Sequence, residues 1–245
     1  MTDHTSHVAL ITGANKGIGF ETARRIGQQG HVILLGARDP SRGEPAAVKL
    51  KEEGIDARFL HLDVTDRTTI LAAAQEIESS FGKLDVLVNN AGMGSPSDGP
   101  VGKADLSEVR RIFETNFFGA LEVTQAMLPL LKKAPSARIV NVSSGLGSLA
   151  RHSDPEWEFG AVQLTGYNST KAALNMATVL LAKELKDTGI KVNSVAPGFT
   201  ATDLNGGGPG AQTAEEGAEA SVLAALLPDG GMTGGFFGRE EPEPW

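Results

Sequence analysis

Short apolar runs recur along this chain, each separated from the next by room for one helix. That spacing limits the fold more than any motif does. The runs lie at 7–12 (HVALIT), 31–36 (HVILLG), 57–62 (ARFLHL), 84–89 (LDVLVN), 137–142 (ARIVNV) and 190–196 (IKVNSVA). Each is short and mostly apolar, as expected of strands buried on both faces. Helical patterns fill the intervals at 20–29, 41–53, 67–81, 106–132 and 167–186, and a last one follows at 213–227. Strands alternating with helices make a parallel sheet through right-handed crossovers. The prediction is an α/β fold: a doubly wound parallel sheet of about seven strands with helices on both faces. A seventh, edge strand is expected at 232–238 (MTGGFFG), and no linker or repeat divides residues 1–245 into more than one domain.

The strand ends carry the candidate chemistry. The first strand runs into Gly13-Ala14-Asn15-Lys16-Gly17-Ile18-Gly19 and then into a helix. Glycines at such a turn permit a tight backbone and close approach of a ligand. The free N–H groups of the helix start favour a pyrophosphate. The spacing is G-x-x-x-G-x-G rather than the commoner G-x-G-x-x-G, yet its place after the first strand marks the sheet as Rossmann-type. At the end of the second strand an acidic residue would accept hydrogen bonds from the ribose of NAD. This chain has Gly36-Ala37-Arg38 there, and Lys16 adds a second cation. Two cations predict a clamp for a 2′-phosphate, hence NADP(H); the competing reading pairs Arg38 with Asp39 or Asp66 at the surface. Asp63 and Val64 are placed to meet the adenine. Asn89, Asn90, Ala91 and Gly92 are placed to line the floor beneath the cofactor, with a bridge between strands as the equal alternative for Asn89.

Tyr167 and Lys171 stand four positions apart at the head of a long apolar helix, so they share a face. Tyr167 is the only tyrosine in the chain. A free phenol, with a pKa of ~10, is a poor acid or base at neutral pH. An ammonium about 4 Å away, at an effective dielectric of about 20, contributes roughly 4 kcal/mol, an upper bound of about three pKa units. The pair alone is equally a common surface pair, and its neighbours in the fold decide between the two readings. Composition removes other classes. A net charge of −8 argues against nucleic acid or an anionic membrane as the main partner. The absence of cysteine removes disulfides, thiolate metal sites and cysteine nucleophiles. The histidines show no ligand spacing, so no metal site is expected. Residues 1–6 are polar, no apolar run approaches the ~20 residues of a membrane span, and no signal-peptide pattern is present, so a cytoplasmic protein is expected.

In this order and on these elements, the motifs resemble the short-chain dehydrogenase/reductase family over nearly the whole chain. The resemblance rests on Thr12 to Gly19, Asp63-Val64, Asn89-Asn90-Ala91-Gly92, Asn116, Ser143-Ser144, Tyr167-x-x-x-Lys171 and Pro197-Gly198. The segment 35–39 (LGARD) and the closing Thr233 to Phe237 with Pro244-Trp245 are similar to its carbonyl-reductase-like branch. The resemblance implies a set of roles. Tyr167 protonates the carbonyl oxygen as hydride arrives from the nicotinamide. Lys171 lowers the Tyr167 pKa and bonds the nicotinamide ribose. Ser144, rather than Ser143, polarises the substrate oxygen. Asn116 holds a water that relays protons to Lys171. Pro197, Gly198 and either Thr200 or Thr202 meet the carboxamide and nearby phosphate.

Two departures qualify the resemblance. The stretch between Ser144 and Tyr167 is longer than in many members, and its insert at 146–165 carries His152, Trp157, Glu158 and Phe159. These are expected either at the substrate mouth or in a lid or subunit contact. The loop after Pro197 is short and glycine-rich, which points to an open pocket. The implied activity is reversible, NADPH-dependent reduction of aldehydes or ketones, with a small carbonyl or alcohol as partner. The alternative is a non-catalytic NADP(H)-binding redox sensor. Helices that are apolar nearly all round near Asn116 and Tyr167 predict a homodimer or homotetramer; the insert, which goes with monomers in that branch, makes a monomer the alternative.

Overall fold

A computed structural model describes residues 7–239 and 241–245; the polar segment 1–6 lies outside them. The strands are β1 (Val8–Thr12), β2 (Val32–Ala37), β3 (Ala57–His61), β4 (Val86–Asn89), β5 (Arg138–Val142), β6 (Lys191–Val195) and β7 (Phe236–Phe237). They form one seven-stranded sheet in the order β3-β2-β1-β4-β5-β6-β7, and every neighbouring pair is parallel. The direction of winding reverses between β1 and β4. At such a switch point the strand ends splay apart and leave a crevice for a ligand.

Both sheet faces are covered, except at the edge strand β3, where Arg58 and His61 are exposed. Successive side chains of a strand point to opposite faces. Along β1, Val8 and Leu10 join one core with Leu34, Leu87 and Ile139. Ala9 and Ile11 join the other with Ile33, Leu35, Val88 and Val140. The first core packs under α3 (Arg67–Phe81), α5 (Gly119–Leu131) and α7 (Thr165–Glu184). The second packs under α1 (Gly17–Gly27), α2 (Pro40–Glu52) and α8 (Ala214–Ala225).

Two expectations change. The predicted helix over 106–132 is α4 (Leu106–Phe113), a π-helical turn (Glu114–Phe118) and α5, in continuous helical backbone. Asn116, 1% exposed, sits within the turn; π-turns concentrate at functional sites because they re-aim side chains. The seventh strand is two residues rather than seven. Asn193 holds its first half as a loop, donating from Nδ2 to the Met232 carbonyl at 2.9 Å and accepting from the Gly235 N–H at 2.9 Å. The insert after Ser144 forms one short helix, α6 (Leu149–His152), followed by turns.

Candidate active site

The crevice opens on the strand ends that the motifs occupy. Gly13 and Gly17 both have positive φ, at 65° and 57°, where a side chain would be strained. A Cβ on Gly13 would also lie 2.9 Å from the Ala91 Cα, so this turn packs directly on the strand-β4 floor. Thr12 locks the two together: its hydroxyl accepts from the N–H groups of Asn90 and Ala91, both at 3.0 Å. Asn90 returns a hydrogen bond from Nδ2 to the Thr12 carbonyl at 2.8 Å. Lys16 caps α1 without a side-chain bond, which leaves the N–H groups of Gly17, Ile18 and Gly19 facing the crevice for an anion.

The predicted pair of cations gains a third member. Asn15, Lys16, Arg38, Asp39 and Arg42 line one pocket beside the glycine turn. Asp39 is engaged by its own helix. It caps α2, taking the Ser41 N–H at 3.0 Å and the Ser41 hydroxyl at 2.7 Å, and it pairs with Arg42 at 3.3 Å. These bonds hold its carboxyl below the usual range, the Ser41 hydroxyl contributing most. Arg38 forms no salt bridge with Asp39 or Asp66 among the described residues. Lys16 instead pairs with Asp203 of the loop after β6 at 2.5 Å. Both ends of that pair are exposed, so it is weak. Arg42 carried no sequence signal, because its distance from Lys16 depends on how α2 docks.

Asn89 takes its structural reading. Its Nδ2 donates to the Asn141 Oδ1 at 2.8 Å and to the Thr124 hydroxyl at 2.9 Å. Asn141 donates to Thr178 at 2.8 Å, and Thr178 bonds Ser194 at 2.8 Å. This buried polar seam ties β4, β5 and β6 to α5 and α7, and it keeps the Asn89 side chain below the floor rather than on it. Asp63 turns back on its own loop, accepting from the Thr65 N–H at 2.9 Å and hydroxyl at 2.8 Å. Val64 packs beneath Gly119, where a Cβ would come within 2.7 Å of the Val64 carbonyl.

Asn116, Ser144, Tyr167 and Lys171 converge at the far end of the crevice. Lys171 is 4% exposed. Its Nζ donates to the Val142 carbonyl at 2.7 Å and lies 5.5 Å from the centre of the Tyr167 ring. Gly92 closes the group: a Cβ there would stand 3.6 Å from the Asn116 Oδ1 and 3.7 Å from the Lys171 Nζ. The Ser144 hydroxyl lies near the Tyr167 phenol, whose pKa it draws down, and accepts from the Leu146 N–H at 3.1 Å. Ser143 faces inward, its hydroxyl donating to the Lys171 carbonyl at 3.3 Å.

Burial dominates the electrostatics here. It pushes the Tyr167 phenol above its ordinary value, and the nearby Ser144 hydroxyl pulls only partly back. Burial also lowers the Lys171 ammonium to about 8. The expected depression of Tyr167 by Lys171 is therefore not a property of this ligand-free arrangement: the ammonium sits beside the ring, bonded to a backbone carbonyl, and desolvation outweighs the Coulomb gain. The Asn116 side chain is likewise engaged. Its Oδ1 accepts from the Met93 N–H at 2.8 Å, and its Nδ2 donates to the Met93 carbonyl at 2.9 Å and to Thr170 at 3.2 Å. The amide clamps the segment that follows Gly92.

On the other wall, Thr200 and Thr202 part company. Thr200 is 3% exposed and bonded to Gln212 at 3.0 Å, whereas the Thr202 methyl faces Gly17, 3.7 Å from where its Cβ would be. Pro197 presents its carbonyl to Gln212, and Gly198 turns the chain with φ 85°. The insert supplies an aromatic row. His152 meets Trp157 edge-on at 4.9 Å, Trp157 meets Phe159 at 5.8 Å, and Phe159 reaches Phe199 of the opposite loop at 6.0 Å. Trp157 lies against Gly145, next to Ser144; Glu158 points to solvent. The tail secures this wall through Arg151–Glu243 at 2.6 Å and the Ala150 N–H on the Trp245 carbonyl at 2.9 Å.

A strand-end glycine turn, a Ser-Tyr-Lys group and a sheet of this order define a nucleotide-binding oxidoreductase of one kind. The family model for short chain dehydrogenases matches residues 7–209, and the chain belongs to that family, the short-chain dehydrogenases/reductases. Within it, the chain is similar to the carbonyl-reductase-like members. Carbonyl reductase (NADPH) 1 of Rattus norvegicus is 35% identical over 97% of this chain and 98% of its own. A short-chain dehydrogenase of Penicillium roqueforti, anuI, is 41% identical over 90% of this chain and 89% of its own. The solved structure of NADPH-bound carbonyl reductase from chicken fatty liver matches with a TM-score of 0.85 at 28% identity, covering 98% of this chain and 99% of that one. Among the described residues no group of acidic or histidine side chains is arranged to hold a metal ion.

Proposed function

We propose that this protein reduces aldehydes or ketones to alcohols, reversibly, with NADP(H) as cofactor and Tyr167 as the general acid and base. The carrying observation is the convergence of Ser144, Tyr167 and Lys171 on one face of a crevice whose other end holds the glycine turn and three cations. The residues fit the cofactor: the N–H groups at Gly17 to Gly19 take the pyrophosphate, and Arg38, Arg42 and Lys16 take the 2′-phosphate, Lys16 exchanging Asp203 for it. Asp39, spent on its helix cap, does not compete. When bound, the cofactor supplies the hydride. Ser144 donates to the substrate oxygen and Tyr167 delivers its proton to it. The Lys171 ammonium favours the resulting phenolate, and Asn116 holds the Gly92–Met93 segment beside Lys171. The row Trp157, Phe159 and Phe199 shapes the substrate mouth.

The test is a panel of aliphatic and aromatic aldehydes, ketones and quinones followed by NADPH absorbance, with NADH alongside. NADPH-selective turnover is expected. NADPH binding without turnover of any carbonyl would support the sensor reading instead. We also propose a homodimer or homotetramer formed through the exposed Phe118, Met176 and Leu180 around α5 and α7. The sheet edge at β7 is occupied by the tail, with Pro242 bridging Phe237 and Trp245 stacked on Phe236 at 5.3 Å, which disfavours further association there. No helix among the described residues is long and apolar enough to cross a membrane; a cytoplasmic location remains part of this proposal.

A further inference from the structure

The helix that carries Tyr167 has no cap of its own. A helix start leaves its first N–H groups without partners, and a side chain at the N-cap position ordinarily satisfies one of them. Here that position is Leu164, which makes no side-chain cap bond. Residues 98 and 99, from the loop after β4, do the work from outside. The Gly99 carbonyl accepts from the Thr165 N–H at 3.0 Å and from the Thr165 hydroxyl at 2.6 Å. The Asp98 carboxylate then spans the next two groups: Oδ1 accepts from the Gly166 N–H at 2.9 Å and Oδ2 from the Tyr167 N–H at 2.8 Å. The first intrahelical bond, Asn168 N–H to the Leu164 carbonyl at 2.8 Å, follows directly. The three N–H groups ahead of it, on Thr165, Gly166 and Tyr167, are filled by two residues distant in sequence.

The approach is built for close contact. At Gly166 a Cβ would fall 2.7 Å from Ile112 Cδ1 and 3.2 Å from Asp98 Oδ2, so any larger residue would push the carboxylate off. The Tyr167 backbone is held at its other end as well. Its carbonyl accepts from the Thr170 hydroxyl at 2.7 Å, which in turn accepts from Asn116 at 3.2 Å. The loop bearing Asp98 starts at Met93, the residue that Asn116 clamps on both its N–H and its carbonyl. One short loop therefore runs from Gly92, beside the Lys171 ammonium, to the N–H of the residue that bears the phenol.

We propose that Asp98 is a positioning residue for catalysis: its carboxylate grips the Gly166 and Tyr167 N–H groups and fixes the phenol against Ser144. This rests on Tyr167 being the proton donor. The cap of one other helix shares the chemistry, and its carboxylate bonds no site residue. Asp66 caps α3, accepting from the Thr68 N–H at 2.8 Å, and serves as the control.

The experiment compares Asp98→Ala, Asp98→Asn, Asp66→Ala and Tyr167→Phe with the unaltered protein. It uses NADPH and the best carbonyl of the panel above, and measures kcat, KM, NADPH affinity by nicotinamide fluorescence, and Tm. A misplaced reacting group costs up to about a hundredfold, so Asp98→Ala should lower kcat ~10–100-fold while KM and NADPH affinity stay within about twofold. Asp98→Asn, which keeps one acceptor, should recover part of the loss. Asp66→Ala should lower Tm by a similar margin with kcat within about twofold. The proposal is overturned if Asp98→Ala keeps kcat within about twofold, or if both Asp98 variants lose NADPH affinity in step with kcat. Should Asp98→Ala not fold, Asp98→Asn decides alone: a reduced kcat at wild-type affinity supports the proposal, and an unchanged kcat overturns it. Tyr167→Phe separates the two claims. If it remains active, the assignment of the acid fails; if it is inactive while Asp98→Ala is active, only the positioning role fails.

Discussion

The two ends of the crevice are built on different principles. The cofactor end is mostly backbone, with the Lys16, Arg38 and Arg42 side chains beside it: strand ends, a glycine turn and a helix N-terminus, pinned by short bonds such as Thr12 to Asn90 and Ala91. Its geometry follows from the sheet. The substrate end is side chains on loops: the aromatic row across 152–199, tied down by Arg151–Glu243 and the Trp245 carbonyl. Its geometry follows from distant partners. Between them sits the Ser144–Tyr167–Lys171 group, held by β5, the head of α7 and the loop at Asp98. The difference teaches where tolerance lies. An end made of backbone permits few sequences and one ligand class, whereas an end made of loop side chains can change its ligand without disturbing the sheet.

Tyr167→Phe tests the junction and should have the largest effect, a loss of kcat of roughly 10²–10⁴-fold with NADPH still bound. Turnover near the unaltered rate would detach the two ends from any shared chemistry. Arg38→Asp tests the cofactor end. Losing charge-assisted bonds to a phosphate should shift the NADPH-to-NADH ratio of kcat/KM by about 10–100-fold toward NADH, while carbonyl preference is unmoved; an unchanged ratio would transfer the clamp to Arg42 and Lys16. Trp157→Ala tests the substrate end. A change of about 3–10-fold in KM for aromatic carbonyls is expected, with NADPH affinity constant; a matching change in NADPH affinity would show that the two ends are not separable.

The smallest effect is electrostatic and is read directly, because Tyr167 is the only tyrosine. In the ligand-free protein, ultraviolet titration should show one phenolate transition, above the ~10 of a free phenol, since burial raises it. A transition below that value would mean that Lys171 overrides burial. Lys171 loses its charge first, at about 8. The cation that favours the phenolate is thus present below that pH and lost as pH rises through it. Because kcat/KM reports the free enzyme, reduction should fall off on the alkaline side near pH 8; a flat profile to pH 10 would show that Lys171 is not needed as a cation.

The sequence by itself determined the sheet. Short apolar runs at helix-sized intervals admit strands buried on both faces and little else, and the strand ends placed Gly13 and Ser144 ahead of the helix that carries Tyr167. It also determined which residue types stand at the site, since motifs confined to one turn are legible without knowing what packs on them. What only the tertiary structure decided are the partners far apart in the chain. These include Asp98 beneath Tyr167, Arg42 beside Lys16, Asn89 turned into a buried seam, Thr202 rather than Thr200 on the glycine turn, and a phenol whose pKa is governed by burial. Desolvation, and the distance between groups on separate elements, are set by packing, and no spacing along a chain encodes either.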